Sequence, residues 1–253
     1  MLLLIGLAVG TLGTLIGVGG GFILIPVLLA LYPNDSPELI TSISLAVVFF
    51  NSMSGSVAYA RMRRIDYKAG IIFSAAAIPG AILGAMSTSI LPRSLFEIIF
   101  GSIMIFASVL LFLKPKKESE ISLNPVEKAG LKYNKLKGII ISVLVGYISG
   151  ILGIGGGIIH VPALIRLLDF PVHVATATSH FILAILSFSG SLVHIVSGIF
   201  AKGVHRVIFL SIGALIGAQI GARVSNLVNS VWITRSLAVA LGFVGIRLIL
   251  VAL

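Results

Sequence analysis

Apolar residues in this chain gather into eight blocks, at about 2–32, 37–60, 68–90, 93–113, 137–168, 173–200, 204–227 and 232–252. Each is long enough to cross a hydrocarbon core of about 30 Å as a helix rising about 1.5 Å per residue. None shows the period-two alternation that an outer-membrane barrel requires. The pattern predicts an all-α, polytopic helical membrane protein.

The first and fifth blocks are too long for a single crossing, since roughly 31 residues would span about 45 Å as one helix. Each carries adjacent glycines at its midpoint. The run Gly17-Val18-Gly19-Gly20-Gly21-Phe22-Ile23-Leu24-Ile25-Pro26 returns 136 positions later as Gly153-Ile154-Gly155-Gly156-Gly157-Ile158-Ile159-His160-Val161-Pro162. Such triplets fit a broken helix or a re-entrant hairpin, whose freed backbone groups must be buried in protein or face water or a ligand. The proline is tolerated in the first turns of a half-helix starting near Gly21 and near Gly157.

The remaining blocks repeat more loosely. Thr41, Ser52, Gly55, Ser56 and Tyr59 answer to Thr176, Ser187, Gly190, Ser191 and His194, and Gly80 to Ala85 answers to Gly217 to Ala222. The spacing of Gly80 and Gly84, and of Gly217 and Gly221, lets helix backbones approach closely in lipid. The chain thus reads as two homologous four-segment repeats, over 1–113 and 137–253, joined by a polar linker over 114–136. Three crossings plus a hairpin would invert the second repeat, whereas four crossings would keep it parallel. Block length favours the hairpin and inversion. Lys202 and Arg206, which answer the cluster Arg61 to Lys68, favour the parallel alternative by placing two basic copies on one side.

Composition supports the membrane reading: 58% of residues are hydrophobic and 10% charged, against roughly 25% charged in soluble domains. The N-terminus lacks a basic leader region and reads as mature chain. Cysteine is absent, which excludes disulfides and thiolate chemistry. The net charge of +10 lies largely in short connections, where lysine and arginine orient a membrane protein, so nucleic acid is not the expected partner.

Two constellations could carry function. A half-helix beginning just after each triplet would aim unpaired N–H groups and a positive dipole end at one spot, an anion site without a buried cation. This singles out Gly19, Gly20, Gly21 and Phe22 with Gly155, Gly156, Gly157 and Ile158. A nucleotide-binding loop would need a strand before it and a βαβ unit, which the pattern lacks. The second constellation is a polar stripe on the sixth block, where Thr176, His180, Ser187, Ser191 and His194 share one helical face. Ser179 lies beside it, and Ser44 and Asn51 flank a shorter version on the second block. The hydroxyls can equally bond a carbonyl one turn earlier. His180 could donate to an anion or carry a proton. Asp35, Glu38, Asp66 and Asp169 read as solvated, and Glu97 as paired with Arg93.

These features resemble the TauE/SafE family of membrane transporters, described as sulfite or organosulfonate exporters. The resemblance covers nearly the whole chain and rests on the paired motifs Gly17 to Pro26 and Gly153 to Pro162. It implies a cargo such as sulfite, sulfoacetate or a taurine-related compound, whereas the residues alone imply only a small anion. The expected function is export by a secondary transporter in the cell inner (plasma) membrane, coupled to a gradient, a proton or another ion. No cofactor, metal or catalytic residue is expected. A passive anion channel and an integral membrane hydrolase are the alternatives, and the hydrolase lacks the paired acids or metal cluster it would use.

Overall fold

The computed structural model describes residues 1–113, 133–225 and 230–252. Its helices are α1 (Leu2–Ile16), α2 (Gly21–Leu31), α3 (Pro37–Arg61), α4 (Tyr67–Ser87), α5 (Arg93–Leu113), α6 (Lys135–Leu152), α7 (Gly157–Leu167), α8 (Val172–Val196), α9 (Val204–Val224) and α10 (Ser230–Ala252). The second five repeat the first five: α2 and α7 have 11 residues each, α3 and α8 25, α4 and α9 21. Five helices among the described residues are long and apolar enough to cross a membrane. The linker expected over 114–136 lies outside the described residues up to 132, and α6 begins inside its expected end. The sixth block, expected to run to 200, stops at Val196. Gly198, at φ 77, there turns the chain into a short 3₁₀ segment, Ile199–Gly203.

Side-chain caps fix several starts. Ser36, Asp66 and Asn134 accept the amides of Leu39, Ala69 and Lys137 at 3.3, 3.0 and 3.1 Å, each supplying an acceptor for one orphan donor of a first turn.

Close approaches between backbones give the helix directions. Gly213, Gly217 and Gly221 of α9 lie against Leu3, Leu7 and Thr11, so α1 and α9 run parallel. Asp35, just after α2, pairs with Arg206 in the first turn of α9, and Arg206 lies 3.7 Å over the Tyr32 ring. The end of α2 has therefore returned to the level where α1 began, and α1 and α2 form a helical hairpin. The second half does the same: α6 runs parallel to α4, with Gly146 against Ala77 and Gly150 against Ala81. Phe170, after α7, packs 5.2 Å from Tyr133, before α6.

The equivalent helices α3 and α8 run antiparallel, since Gly55 meets His180 and Gly190 meets Leu45. The molecule thus has an Asp35 face and an Arg61 face. Lys202 and Arg206 lie at the Asp35 face, opposite the Arg61 to Lys68 connection they were matched with in sequence. In Arg206 that basic signal serves an ion pair and a ring contact.

The halves interlock. The hairpin helix α1 rests on α9 of the other half, and α6 rests on α4, through glycines that admit backbone against backbone. A Cβ on Gly10 would lie 2.6 Å from the Ala214 carbonyl oxygen, and one on Gly84 2.8 Å from the Ile151 nitrogen. Small residues at such seams allow the dispersion contacts that hold helices together where lipid tails remove the hydrophobic drive. The α3–α8 pair stands in the middle, and the glycine breaks of both hairpins meet against it.

Candidate functional site

Each break is built the same way. Gly17 closes α1 in the left-handed region at φ 83, and the amides of Gly17, Val18 and Gly19 fold back on the carbonyls of Thr14 and Gly13. Gly19 and Gly20 are left-handed as well, at φ 79. Helix α2 then starts, with the Ile23 and Leu24 amides donating to the Gly20 carbonyl. The N–H groups of Gly20, Gly21 and Phe22 have no backbone acceptor among the described residues. In the second half Gly153, Gly155 and Gly156 stand at φ 69, 72 and 90, and the Ile159 and His160 amides take the Gly156 carbonyl. Gly155, Gly156, Gly157 and Ile158 keep N–H groups without such an acceptor.

The two breaks touch. A Cβ on Gly21 would lie 2.9 Å from Ile154 Cα and 3.2 Å from the Gly153 carbonyl oxygen, and one on Gly157 2.6 Å from Val18 Cα. Two half-helix N-termini, each with free amides and the positive end of its dipole, therefore converge at the centre. Val48 and Leu183, equivalent residues of α3 and α8, lie against the glycines. Val48 comes within 3.2 Å of the Cβ position of Gly19 and 2.7 Å of that of Gly155.

Every candidate residue from the sequence is buried, from Gly19 to Phe22, through Ser44 and Asn51, to Gly155 to Ile158, Ser179, His180, Ser187 and His194. Their partners differ. Ser44 donates to the Gly153 carbonyl at 2.7 Å and so ties α3 to the second break. Ser187 donates back to the Leu183 carbonyl. The Ser179 hydroxyl and both nitrogens of His194 have no hydrogen-bond partner among the described residues. Asn51 and His180 come together on Thr14, a residue the sequence did not single out. Thr14 Oγ1 donates to Asn51 Oδ1 at 3.2 Å, and His180 Nε2 lies 3.2 Å from the same hydroxyl. A hydroxyl has one proton to give, so His180 Nε2 is the donor in that contact, and Nδ1 carries the lone pair in the neutral ring. Tyr59 closes the group: its hydroxyl donates to the Thr14 carbonyl at 2.7 Å, and its ring meets the imidazole edge-on at 5.6 Å.

This cluster draws Thr14 and Asn51 from the first half and His180 from the second, and it has no symmetry mate. The positions equivalent to Thr14, Asn51 and His180 are Gly150, Leu186 and Leu45. Along α3, Asn51, Ser52, Gly55, Ser56 and Tyr59 share a face and lead from the glycines toward the Arg61 face. The Asn51 amide nitrogen and the Ser52 and Ser56 hydroxyls are buried without partners among the described residues. Among the described residues no group of three His, Asp or Glu is placed to hold a metal.

The two faces differ between the central helices. At the Asp35 face α3, α4 and α8 line an open pocket of about 530 Å³, with Glu38, Met86, Ser189 and Leu192 among its walls. The equivalent place at the Arg61 face is bridged by Gln219, whose side-chain nitrogen donates to the Ser54 carbonyl and hydroxyl oxygens at 2.8 Å each. Ser54 donates in turn to the Leu215 carbonyl at 2.9 Å.

The sequence profile described as Sulfite exporter TauE/SafE matches residues 2–248. The chain is 33% identical over 270 residues to "Probable membrane transporter protein YunE" of Bacillus subtilis, an alignment covering 98% of this chain and 96% of the relative. It is 25% identical to "Probable membrane transporter protein MJ0441" of Methanocaldococcus jannaschii, covering 99% and 95% of the two chains. No solved structure gives a significant match. Matched end to end by the profile and by relatives of its own length, this multi-pass helical membrane protein belongs to the TauE/SafE family of membrane transporters.

Proposed function

We propose that the chain is a secondary transporter that exports a small anion by alternating access, with the paired glycine breaks as its central binding site. The observation that carries the reading is the meeting of two half-helix N-termini at mid-molecule, their amides without backbone acceptors and, among the described residues, no lysine or arginine fully buried. A sulfonate or sulfite offers three acceptor oxygens and a delocalised charge, which suits two sets of backbone donors. The family description supports sulfite or a small organosulfonate as cargo. Asn51, Thr14 and His180 line the approach, and Val48 and Leu183 close the site until it opens.

Opposed directions of α3 and α8, with a hairpin opening each half, make an inverted repeat once placed in a bilayer. Such repeats open alternately to the two sides as they exchange conformations. The pocket at the Asp35 face and the Gln219 bridge at the Arg61 face fit one of these states. Among the described residues, nine of 13 lysines and arginines belong to connections and helix ends of the Arg61 face, which supports a cytoplasmic Arg61 face and a plasma-membrane location. An inside-negative potential favours anion exit by about 2.3 kcal/mol per charge per 100 mV.

Purified protein in liposomes tests the reading. Saturable, trans-stimulated uptake of labelled sulfite or methanesulfonate supports a carrier. Ohmic current without saturation points instead to a channel, and uptake of neither probe removes the cargo assignment.

A further inference from the structure

Arg64 stands at the end of the polar face of α3 and has no role in the site described so far. It follows α3 directly, and its amide donates to the Tyr59 carbonyl at 3.2 Å, which fixes it one turn beyond the Tyr59 ring. The guanidinium is half-buried, and one of its terminal nitrogens, Nη1, is fully buried without a hydrogen-bond partner among the described residues. A buried donor on a charged group that goes unmet costs more than a neutral one, so a structure retains it where something is meant to fill it. Burial draws the guanidinium pKa down from its ordinary value, and Tyr59 partly offsets this.

The surroundings fit an anion. Tyr59 has Ser225 and Arg64 as its polar neighbours at this end. One turn deeper the Ser56 hydroxyl is buried without a partner among the described residues, followed by the Ser52 hydroxyl and the Asn51 amide nitrogen in the same condition, and then by the glycines. From Arg64 inward the face offers donors at each turn over about 16 Å of helix. The nearest carboxylate in sequence, Asp66, caps α4 by accepting the Ala69 amide. At the other face the equivalents of Arg64, Asn51 and Thr14 are Ile199, Leu186 and Gly150, so that route has no matching cation.

We propose that Arg64 is an anion-binding residue at the Arg61-face mouth of this polar file, where its guanidinium takes the oxyanion head of the cargo before the glycine amides do. The ligand class is a small oxyanion with at least two acceptor oxygens on one centre, which a planar guanidinium holds through paired hydrogen bonds. The inference rests on the transporter reading for its route, but binding at Arg64 can be measured without transport.

The test uses Arg64→Gln and Arg64→Lys in membrane vesicles of both orientations, with labelled methanesulfonate presented to one face at a time. Loss of one charge-assisted contact predicts that Arg64→Gln raises KM about tenfold when the anion is presented at the Arg61 face. KM at the Asp35 face should stay within about twofold while the saturated rate from that face falls about tenfold, since a carrier without a driving force keeps equal ratios of saturated rate to KM at its two faces. Arg64→Lys should recover part of the loss, because it restores the charge without the fork. An equal KM change at both faces, or none at either, overturns the proposal. Sulfite titration of the purified proteins, read by thermal shift, is the second arm. If wild type transports neither probe, the transporter reading fails, and the subsite stands only if Arg64→Gln weakens sulfite stabilisation about tenfold in midpoint. If that midpoint is unchanged, Arg64 has a structural role alone.

Discussion

Replacing Asn51 and His180 together by leucine would make this polar cluster imitate the symmetry-related place in the molecule, where Leu186 and Leu45 hold the equivalent positions. Two contacts are lost, each 3.2 Å long and both to Thr14. In membrane proteins such side-chain bonds average about 0.6 kcal/mol, so their loss removes about 1 kcal/mol. The edge-on Tyr59 contact adds about 0.5–1 kcal/mol. Against this, the Asn51 amide nitrogen is now buried without an acceptor, and removing it relieves a penalty of about 1–3 kcal/mol. Thr14 can turn its hydroxyl to a carbonyl of the preceding turn. The sum is near zero, and the melting temperature should move by no more than about 4 °C. Transport should behave otherwise. Loss of the one free donor of the pair, the Asn51 amide, worth about 1–1.5 kcal/mol to a bound anion, predicts an about tenfold lower rate at sub-saturating substrate. Detergent-solubilised protein gives the first quantity and liposome uptake the second. A double variant that melts normally and transports at the wild-type rate would take the polar file off the path. One that aggregates would refute the idea that the opposite half shows a viable apolar packing for this site.

Gly157→Ala puts a methyl 2.6 Å from Val18 Cα, so the two breaks must part; uptake should vanish and the melting temperature fall. Gly198→Ala serves as the control: its φ of 77 makes alanine strained, at about 1 kcal/mol, but nothing lies within 4 Å and uptake should persist. Gln219→Leu removes the bridge to Ser54 and should raise labelling of a cysteine introduced at Ser56 from the Arg61 face several-fold; unchanged labelling would show that this bridge does not hold the face shut. Because the chain has no cysteine, single cysteines at Ile90 and Arg63 can be labelled with an impermeant maleimide on intact cells. Ile90→Cys should react and Arg63→Cys should not, and the reverse pattern would invert the proposed orientation.

Much of this architecture was legible in the sequence because it follows from lengths and glycines. A block of roughly 31 residues cannot cross a core of about 30 Å as one straight helix, and the glycine triplets marked where it turns back. What misled was charge. Lys202 and Arg206 look like an orientation signal when counted along a connection, yet Arg206 is held by Asp35 and by the Tyr32 ring. These partners are distant in sequence. Ser44 and Ser187 read as lining residues, but their hydroxyls are taken by the carbonyls of Gly153 and Leu183, and a hydroxyl's choice of acceptor is not written in its helical face. Thr14 escaped notice for a related reason: it lies on α1, outside both polar stripes, and reaches Asn51 and His180 only because the hairpin folds against α3 and α8.

The duplication separates two kinds of constraint on this chain. Residues that let backbones meet are kept in both copies, as in Gly80 and Gly84 with Gly217 and Gly221, and in the triplets themselves, because interlocked halves need the same close approach at both seams. The side chains proposed to bind are not: Thr14, Asn51, His180 and Arg64 have Gly150, Leu186, Leu45 and Ile199 as counterparts. A symmetric frame can exchange its two halves between two shapes at little net cost. An asymmetric polar file then makes the two directions of approach chemically different, so that an anion meets donors from the Arg61 face and leucine or glycine from the other. A chemical difference between the two approaches in such a molecule would come from the side chains that break the repeat symmetry, Thr14, Asn51 and Arg64 in the first copy and His180 in the second, while the gradient sets the net direction and the common fold supplies the means of opening.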